Sequence, residues 1–457
     1  MKWLKIAGLI VFISIIVGIV ALVTLPYRMA REIDARIAAI KAQGDPVSSW
    51  DLFSHVPDSE NGAMIYEKVF TITEPGKKDI VRVSWVSSLT RLREDPELLP
   101  LARRMAAKYK TILPLVDEAS SRPYCQFKSG WSHLPEEMFA LHRYHAKLRE
   151  ITRWLCVIAI TDAAYGQMDD SMKAVELGYR FSESSKDEST LIGSLVRIAC
   201  VSITSRSLRR SAQYGDITEL QARKLFDLLG SIDIQLGFQT AMKGERVYGL
   251  EMMDRLRRRV FGFNDDGKLT EDPAILRRSG INGWLMDARS CSDELFYLKY
   301  MDRVIKSISR PYHDQIAHPD VHEPKFPRYA LMSAIVLPVY AKSMRAYHEA
   351  TATLAGDRIF LAVLAYKSKF GSYPLSLDDV ELKLGWKLPV DPMTDESFRY
   401  RREGKGFIVY GLGKNMKDDN AKTVPKNAKN DDFSDEYPYS NGDGRYSADM
   451  IWEKSDR

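Results

Sequence analysis

The run from Ile6 to Leu25 limits this chain more than any other feature. It reads IAGLIVFISIIVGIVALVTL and carries no charge. As a helix these twenty residues rise about 30 Å, which matches the hydrocarbon thickness of a bilayer. Lys2 and Lys5 precede it, and Arg28 and Arg31 follow. No A-x-A cleavage pattern and no lipoprotein cysteine follows it, so the segment reads as an uncleaved single-pass anchor. A small basic tail before an apolar core has the form of a signal-anchor. The expected placement is therefore a bacterial inner membrane with the N-terminus inside and the body extracytoplasmic.

Beyond the anchor there is no second uncharged run of spanning length, and the mean hydropathy of the 457 residues is negative. A chain of this length exceeds one common domain. The net charge of +5 is small for the length and gives no argument for nucleic acid. Cys125, Cys156, Cys200 and Cys291 lie far apart with no C-x-x-C, so neither a zinc ribbon nor a redox motif is supported. Cys156 and Cys200 sit on apolar helical faces. They read as buried thiols, with a mutual disulfide as the alternative in an oxidising space.

Residues Arg28 to Gln43 continue as a polar helix with Ile33, Ile37 and Ile40 at helical spacing, closed by Gly44-Asp45-Pro46. Asp58 or Ser59 is the expected cap of a helix starting near Asn61. From Leu99 to about Ser309 apolar residues step by three and four, as in Leu141, Tyr144, Leu148, Ile151, Leu155 and Ile158. Short breaks such as Gly166-Gln167-Met168-Asp169 imply antiparallel helical neighbours. Asp162-Ala163-Ala164-Tyr165-Gly166, followed by Ala174, is similar to the turn of a tetratricopeptide hairpin, without a 34-residue period. Gly262 to Gly283 and Arg310 to Arg328 read as loops, and a long helix is expected from about Val339 to Phe370. After Pro374 the period changes to that of strands. Ser397–Arg401 and Gly406–Leu412 flank a hairpin turn, and Ser447–Trp452 is the expected last strand.

The order of anchor, short helix, GDPVS, VPDSENGAMIY and helical body resembles an uncharacterised bacterial single-pass membrane protein family. That resemblance implies an architecture and no activity. A second resemblance covers about a quarter of the chain: AYKSKFGSYP, DPMTDESFRY, GFIVYGLGKNMKDD and SADMI look like the C-terminal lobe of a type II secretion major pseudopilin. It implies one long helix on a small antiparallel sheet, with calcium in an acidic loop. The chain departs from that family in its anchor, which ends at Leu25, far upstream of the lobe's helix, and contains no glutamate.

The fold class expected is thus mainly α: a transmembrane helix (1–27), a juxtamembrane segment (28–98), a helical body of TPR-like hairpins (99–328) and a pseudopilin-like α+β lobe (329–457). Asn415, Asp418, Asp419 and Asp449 are the candidate calcium ligands, since calcium takes several carboxylate and carbonyl oxygens; a solvated acidic loop is the competing reading. FNDDGKLT lacks the ligand alternation of an EF-hand. His313, His318 and His322 share a Pro-rich loop, and His142 and His145 share a helix face without H-E-x-x-H. Glu245, in Gly244-Glu245-Arg246, is the other candidate acid or base. Arg255, Arg257, Arg258 and Arg259 read as a solvated face, or as contacts to anionic headgroups if their helix lies near the bilayer. No nucleophile elbow, P-loop or dinucleotide fingerprint is present. The function expected is a non-enzymatic membrane-tethered scaffold for a protein partner; the alternative is an extracytoplasmic metal-assisted hydrolase using Glu245 or His142 and His145.

Overall fold

The computed structural model describes residues 24–52, 56–73, 98–127, 135–257, 262–263, 269–270, 280–317, 325–425, 439–440, 445–447 and 449–454. The Ile6–Leu25 segment lies outside them except for Thr24 and Leu25. The protein is mainly helical, with a small three-stranded antiparallel sheet. Contacts divide it into two compact units, neither contiguous in sequence.

Unit 1 gathers residues 1–54, 241–308 and 318–342. Its described helices are α1 (24–42), the part of α9 (Ile234–Arg257) from Ala241, α10 (Gly280–Ser307) and the start of α12 (Leu331–Phe370). The expected stripe on α1 is the one that packs. Ile33 and Ile40 are buried against Leu250, Cys291, Leu295 and Leu298, with Ile37 partly buried beside them. Each such aliphatic side chain contributes about 1.5–3 kcal/mol by leaving water.

Ordered pairs along the helices give their directions. Met29 meets Ser292, Glu32 pairs with Lys299 and Arg36 with Asp302, so α1 and α10 run parallel. Arg246 pairs with Asp302, and a Cβ on Gly249 would meet Tyr297, so α9 runs antiparallel to α10. Asp293 of α10 accepts the Met332 and Ser333 amides at 2.7 and 3.1 Å, which satisfies open N–H groups at the start of α12. That cap lets α12 begin at Leu331, eight residues before the expected Val339, and run through Pro338. A mid-helix proline removes one backbone hydrogen bond; the apolar turns around it remain packed through Leu337 and Tyr340.

The other loop expectation also changes. Gly262–Phe263 (β1) pairs with Leu269–Thr270 (β2), and α10 starts at Gly280, inside the span read as loop to Gly283.

Unit 2 gathers residues 55–240, 309–317 and 343–457. Its described helices are α2 (Ala63–Ile72), α3 (Leu98–Tyr109), α4 (Leu113–Ser120), α5 (Pro135–Ala164), α6 (Met168–Ser182), α7 (Leu191–Ala212), α8 (Glu219–Ser231), the start of α9, α11 (Tyr312–Ala317), the rest of α12 and α13 (Leu377–Leu384). The helix after VPDSEN has Gly62, not Asp58 or Ser59, at its N-cap, and the preceding Asn61 receives its first amide. Asn61 Oδ1 accepts the Ala63 and Gln126 amides, because Asp58–Glu60 is itself a 3-10 turn. Gly62 is required there, since a Cβ would stand 2.5 Å from the Ala119 carbonyl oxygen.

Gly166, at φ +79°, reverses the chain between α5 and α6 with Ala163 and Ala174 buried at the contact. Gly178 of α6 faces Thr204 of α7 closely enough that a Cβ would stand 2.8 Å from its methyl. The largest buried rings, such as Trp154 against Tyr109 and Tyr66 edge-on to Phe181, fill the interior of this bundle.

The strands follow α13. Arg399–Glu403 (β3), Gly406–Gly411 (β4) and Met450–Lys454 (β8) form an antiparallel sheet in the order β3-β4-β8. β4 is buried along its length, and Phe407 packs on Phe360 of α12. Thr423–Pro425 (β5), Tyr439–Ser440 (β6) and Arg445–Ser447 (β7) form a second small sheet, β5-β7-β6.

Candidate functional site

The four residues proposed from sequence for calcium all lie in unit 2, beside the end of β4 and the start of β8. Asn415 donates its amide to Asp419 at 2.8 Å. Asp418 accepts Arg399 Nε at 2.8 Å and the Asn420 amide at 2.9 Å. Its carboxyl is pulled up by burial, but these hydrogen bonds and the Arg399 charge hold it below the usual range. Asp449 is fully buried. Its Oδ2 accepts the Ala421 amide, and its Oδ1 has no hydrogen-bond partner. Burial, opposed by backbone amides and reinforced by the charges of Asp419 and Asp418, raises Asp449 to about 6.

The loop carrying these groups holds Met416, Asn420 and Ala421 in the left-handed region, at φ of 55°, 56° and 54°. Three non-glycine residues there cost energy that the surrounding contacts must offset. In donor type the residues fit a hard cation. In arrangement they do not close a shell: among the described residues, no three His, Cys, Asp or Glu side chains stand together to hold a metal ion. The later acidic residues Asp431, Asp432, Asp435, Glu436 and Asp443 lie outside the described residues.

One fully buried carboxylate of the lobe was missed by sequence reasoning. Asp357 of α12 accepts Tyr179 Oη of α6 at 2.9 Å and Trp452 Nε1 of β8 at 2.8 Å. Burial raises its affinity for a proton, and the nearby Arg209 charge opposes this. A Cβ on Gly356 would stand 2.2 Å from the Trp452 ring, so the glycine admits the indole. The group pins helix to sheet, and both of its oxygens are engaged. Its signal in the sequence was a lone acid three residues after Leu354, on an otherwise apolar stripe.

Glu245 lies in unit 1. Its Oε2 accepts Tyr340 Oη at 3.0 Å, while its backbone carbonyl accepts Tyr297 Oη at 2.7 Å. Arg246, 2% exposed, reaches Asp45 at 3.1 Å and Asp302 at 3.6 Å, and Lys243 joins at Asp45. Burial pulls Asp45 up, but Lys243 and Arg246 outweigh it and hold its carboxyl low.

His145 lies in unit 2 and pairs with Glu188 at 2.8 Å, and Glu188 also accepts the Thr190 hydroxyl. His142 lies on α5. His313 is the second residue of the short helix α11, its amide bonded to the Met393 carbonyl; His318 and His322 lie outside the described residues. All four cysteines are free thiols, so Cys156 and Cys200 are not bridged. Burial pushes Cys156 up to about 12 and Cys200 to about 11, which removes their nucleophilic form at neutral pH.

Among the described residues the helix long and apolar enough to cross a membrane is α7. Its most apolar window is 67% buried, and it carries Arg197, Arg206, Arg209 and Arg210. It is a core helix of unit 2. Comparison with known proteins gives no matching family model, no matching curated protein and no matching solved structure.

Proposed function

We propose that this protein is a membrane-tethered, non-enzymatic scaffold. Ile6–Leu25 anchors it in the bacterial inner membrane with the body extracytoplasmic. TPR-like hairpins and the pseudopilin-like lobe then present surfaces to a protein partner during envelope or secretion assembly. The observation that carries this reading is how the polar chemistry of the body is used. Asp357, Glu245, Arg246 and His145 are each held by specific neighbours that join one element to another. Helical hairpins bind through extended surfaces and need no catalytic group.

Large apolar side chains stand exposed on unit 2, with Leu220 at 81% and Leu382 at 83%. Site-specific photo-crosslinking from these two positions, in intact membranes, tests the reading. A discrete adduct with one other protein, abolished by arginine at the neighbouring exposed position, is the expected result. Crosslinks to lipid and to many proteins alike would contradict it.

We also propose calcium at the acidic loop, through Asp418, Asp419, Asn415 and Asp449. The observation favouring it is Asp449 Oδ1, a buried oxygen without a partner. Binding there requires Asp418 to leave Arg399 and turn toward Asp449.

A further inference from the structure

The parallel register of unit 1 places several elements at one level along the anchor axis. Leu25, the last residue of the apolar run, is four residues from Met29, about 6 Å along a helix. Met29 meets Ser292 of α10. Arg289 lies three residues before Ser292, about 4.5 Å back toward the anchor end. Its guanidinium donates to the Arg328 carbonyl at 2.9 Å and the Tyr329 carbonyl at 3.4 Å. Arg328 and Tyr329 are thereby fixed between the levels of Leu25 and Met29, while Phe326 packs on Phe296 further into the body. The headgroup layer on each side of the hydrocarbon is about 5–8 Å thick, so this is the level it occupies beside an upright anchor.

The side chains at that level are of two kinds. Tyr27 is 73% and Tyr329 42% exposed. Arg28, Arg31 and Arg328 are exposed cations. The next acid along α1, Glu32, is held by Arg36 and Lys299. The antiparallel α9 also brings its arginine-bearing C-terminal turn, with Arg255, to this end.

We propose that Tyr27, Arg28, Arg31, Arg328 and Tyr329 form a collar that binds the anionic lipid headgroups surrounding the anchor. Aromatic rings favour the interface, and each cation near an anionic surface is attracted to it. The collar rests on the anchor reading above, and it adds that unit 1 is seated on the bilayer and selects anionic lipid.

The test uses the full chain in vesicles of phosphatidylcholine alone, or mixed with phosphatidylglycerol. A fluorescent label at Tyr329→Cys reports exposure to an aqueous quencher, with the background of the unsubstituted chain subtracted. Flotation of the same vesicles reports the anchor. The collar predicts slower quenching with phosphatidylglycerol, reversed by high salt and by Arg28→Glu, Arg31→Glu and Arg328→Glu together, while the variant still floats. Flotation with equal quenching in both lipids overturns the collar and leaves the anchor standing. Failure to float overturns both. Equal protection of a label at Leu382→Cys overturns the collar, because the effect is then general adsorption.

Discussion

At the scale of single residues, buried carboxylates organise the lobe. Asp391 is fully buried and accepts the Met393 amide with Oδ1 and the Leu412 amide with Oδ2, tying the loop before β3 to the end of β4. Burial raises it to about 6 although both amides and Arg399 oppose the shift. An unfolded aspartate titrates near 3.9, so between about pH 4 and 6 the folded chain binds the extra proton. Its contribution to stability is therefore full below about pH 4 and lost as pH rises to about 6. Asp391→Asn should flatten that part of the thermal-stability profile relative to wild type, measured on the detergent-solubilised chain. At neutral pH it should cost about 1–3 kcal/mol, because one buried amide loses its acceptor. These roles were not legible in the sequence. Asp391 and Asp357 show as acids in apolar surroundings, but their donors come from residues 2 to 178 positions away. Asn61 is similar: its side chain also accepts the Gln126 amide, which no local pattern connects to it.

At the scale of elements, periodicity carried well where one face is buried and failed where a distant group sets a boundary. The stripe Ile33, Ile37 and Ile40 was readable because helix packing demands it. The hairpin and last strand were readable from alternation, and they pair as β3-β4-β8. The start of α12 was not, since its amides are satisfied by Asp293 on another helix. The contact between α12 and β8 depends on Gly356. Gly356→Ala drives a methyl into the Trp452 ring and should cost about 1–3 kcal/mol by overpacking. Amide exchange should speed up in β8 and stay unchanged in α5, α6 and α7. The calcium proposal concerns the same lobe. At a hundredfold excess over Kd it should stabilise the lobe by about 2.7 kcal/mol. Calorimetry of the full chain in calcium against chelator should show one transition rising, and Asp418→Ala with Asp419→Ala should abolish the rise. An equal rise in the variant would place the ion elsewhere.

At the scale of the molecule, the helical class and the lobe's sheet were legible, while the grouping of helices was not. Unit 1 is assembled from three separated stretches, joined by pairs such as Glu32 with Lys299 and Asp45 with Arg246. Charges at such distances carry no period that a linear reading can detect. The packing of α1 into unit 1 ties the described residues next to the apolar run into the folded body. The central claim is that this run holds the protein in a bilayer. The direct measurement is carbonate extraction of membranes carrying wild type or Ile15→Arg with Ile16→Arg. Each arginine should cost about 2.5–3.5 kcal/mol of insertion free energy. Wild type should stay in the membrane pellet and the double variant should appear in the wash. A double variant that still pellets after carbonate, or a wild type that washes off, would contradict the account.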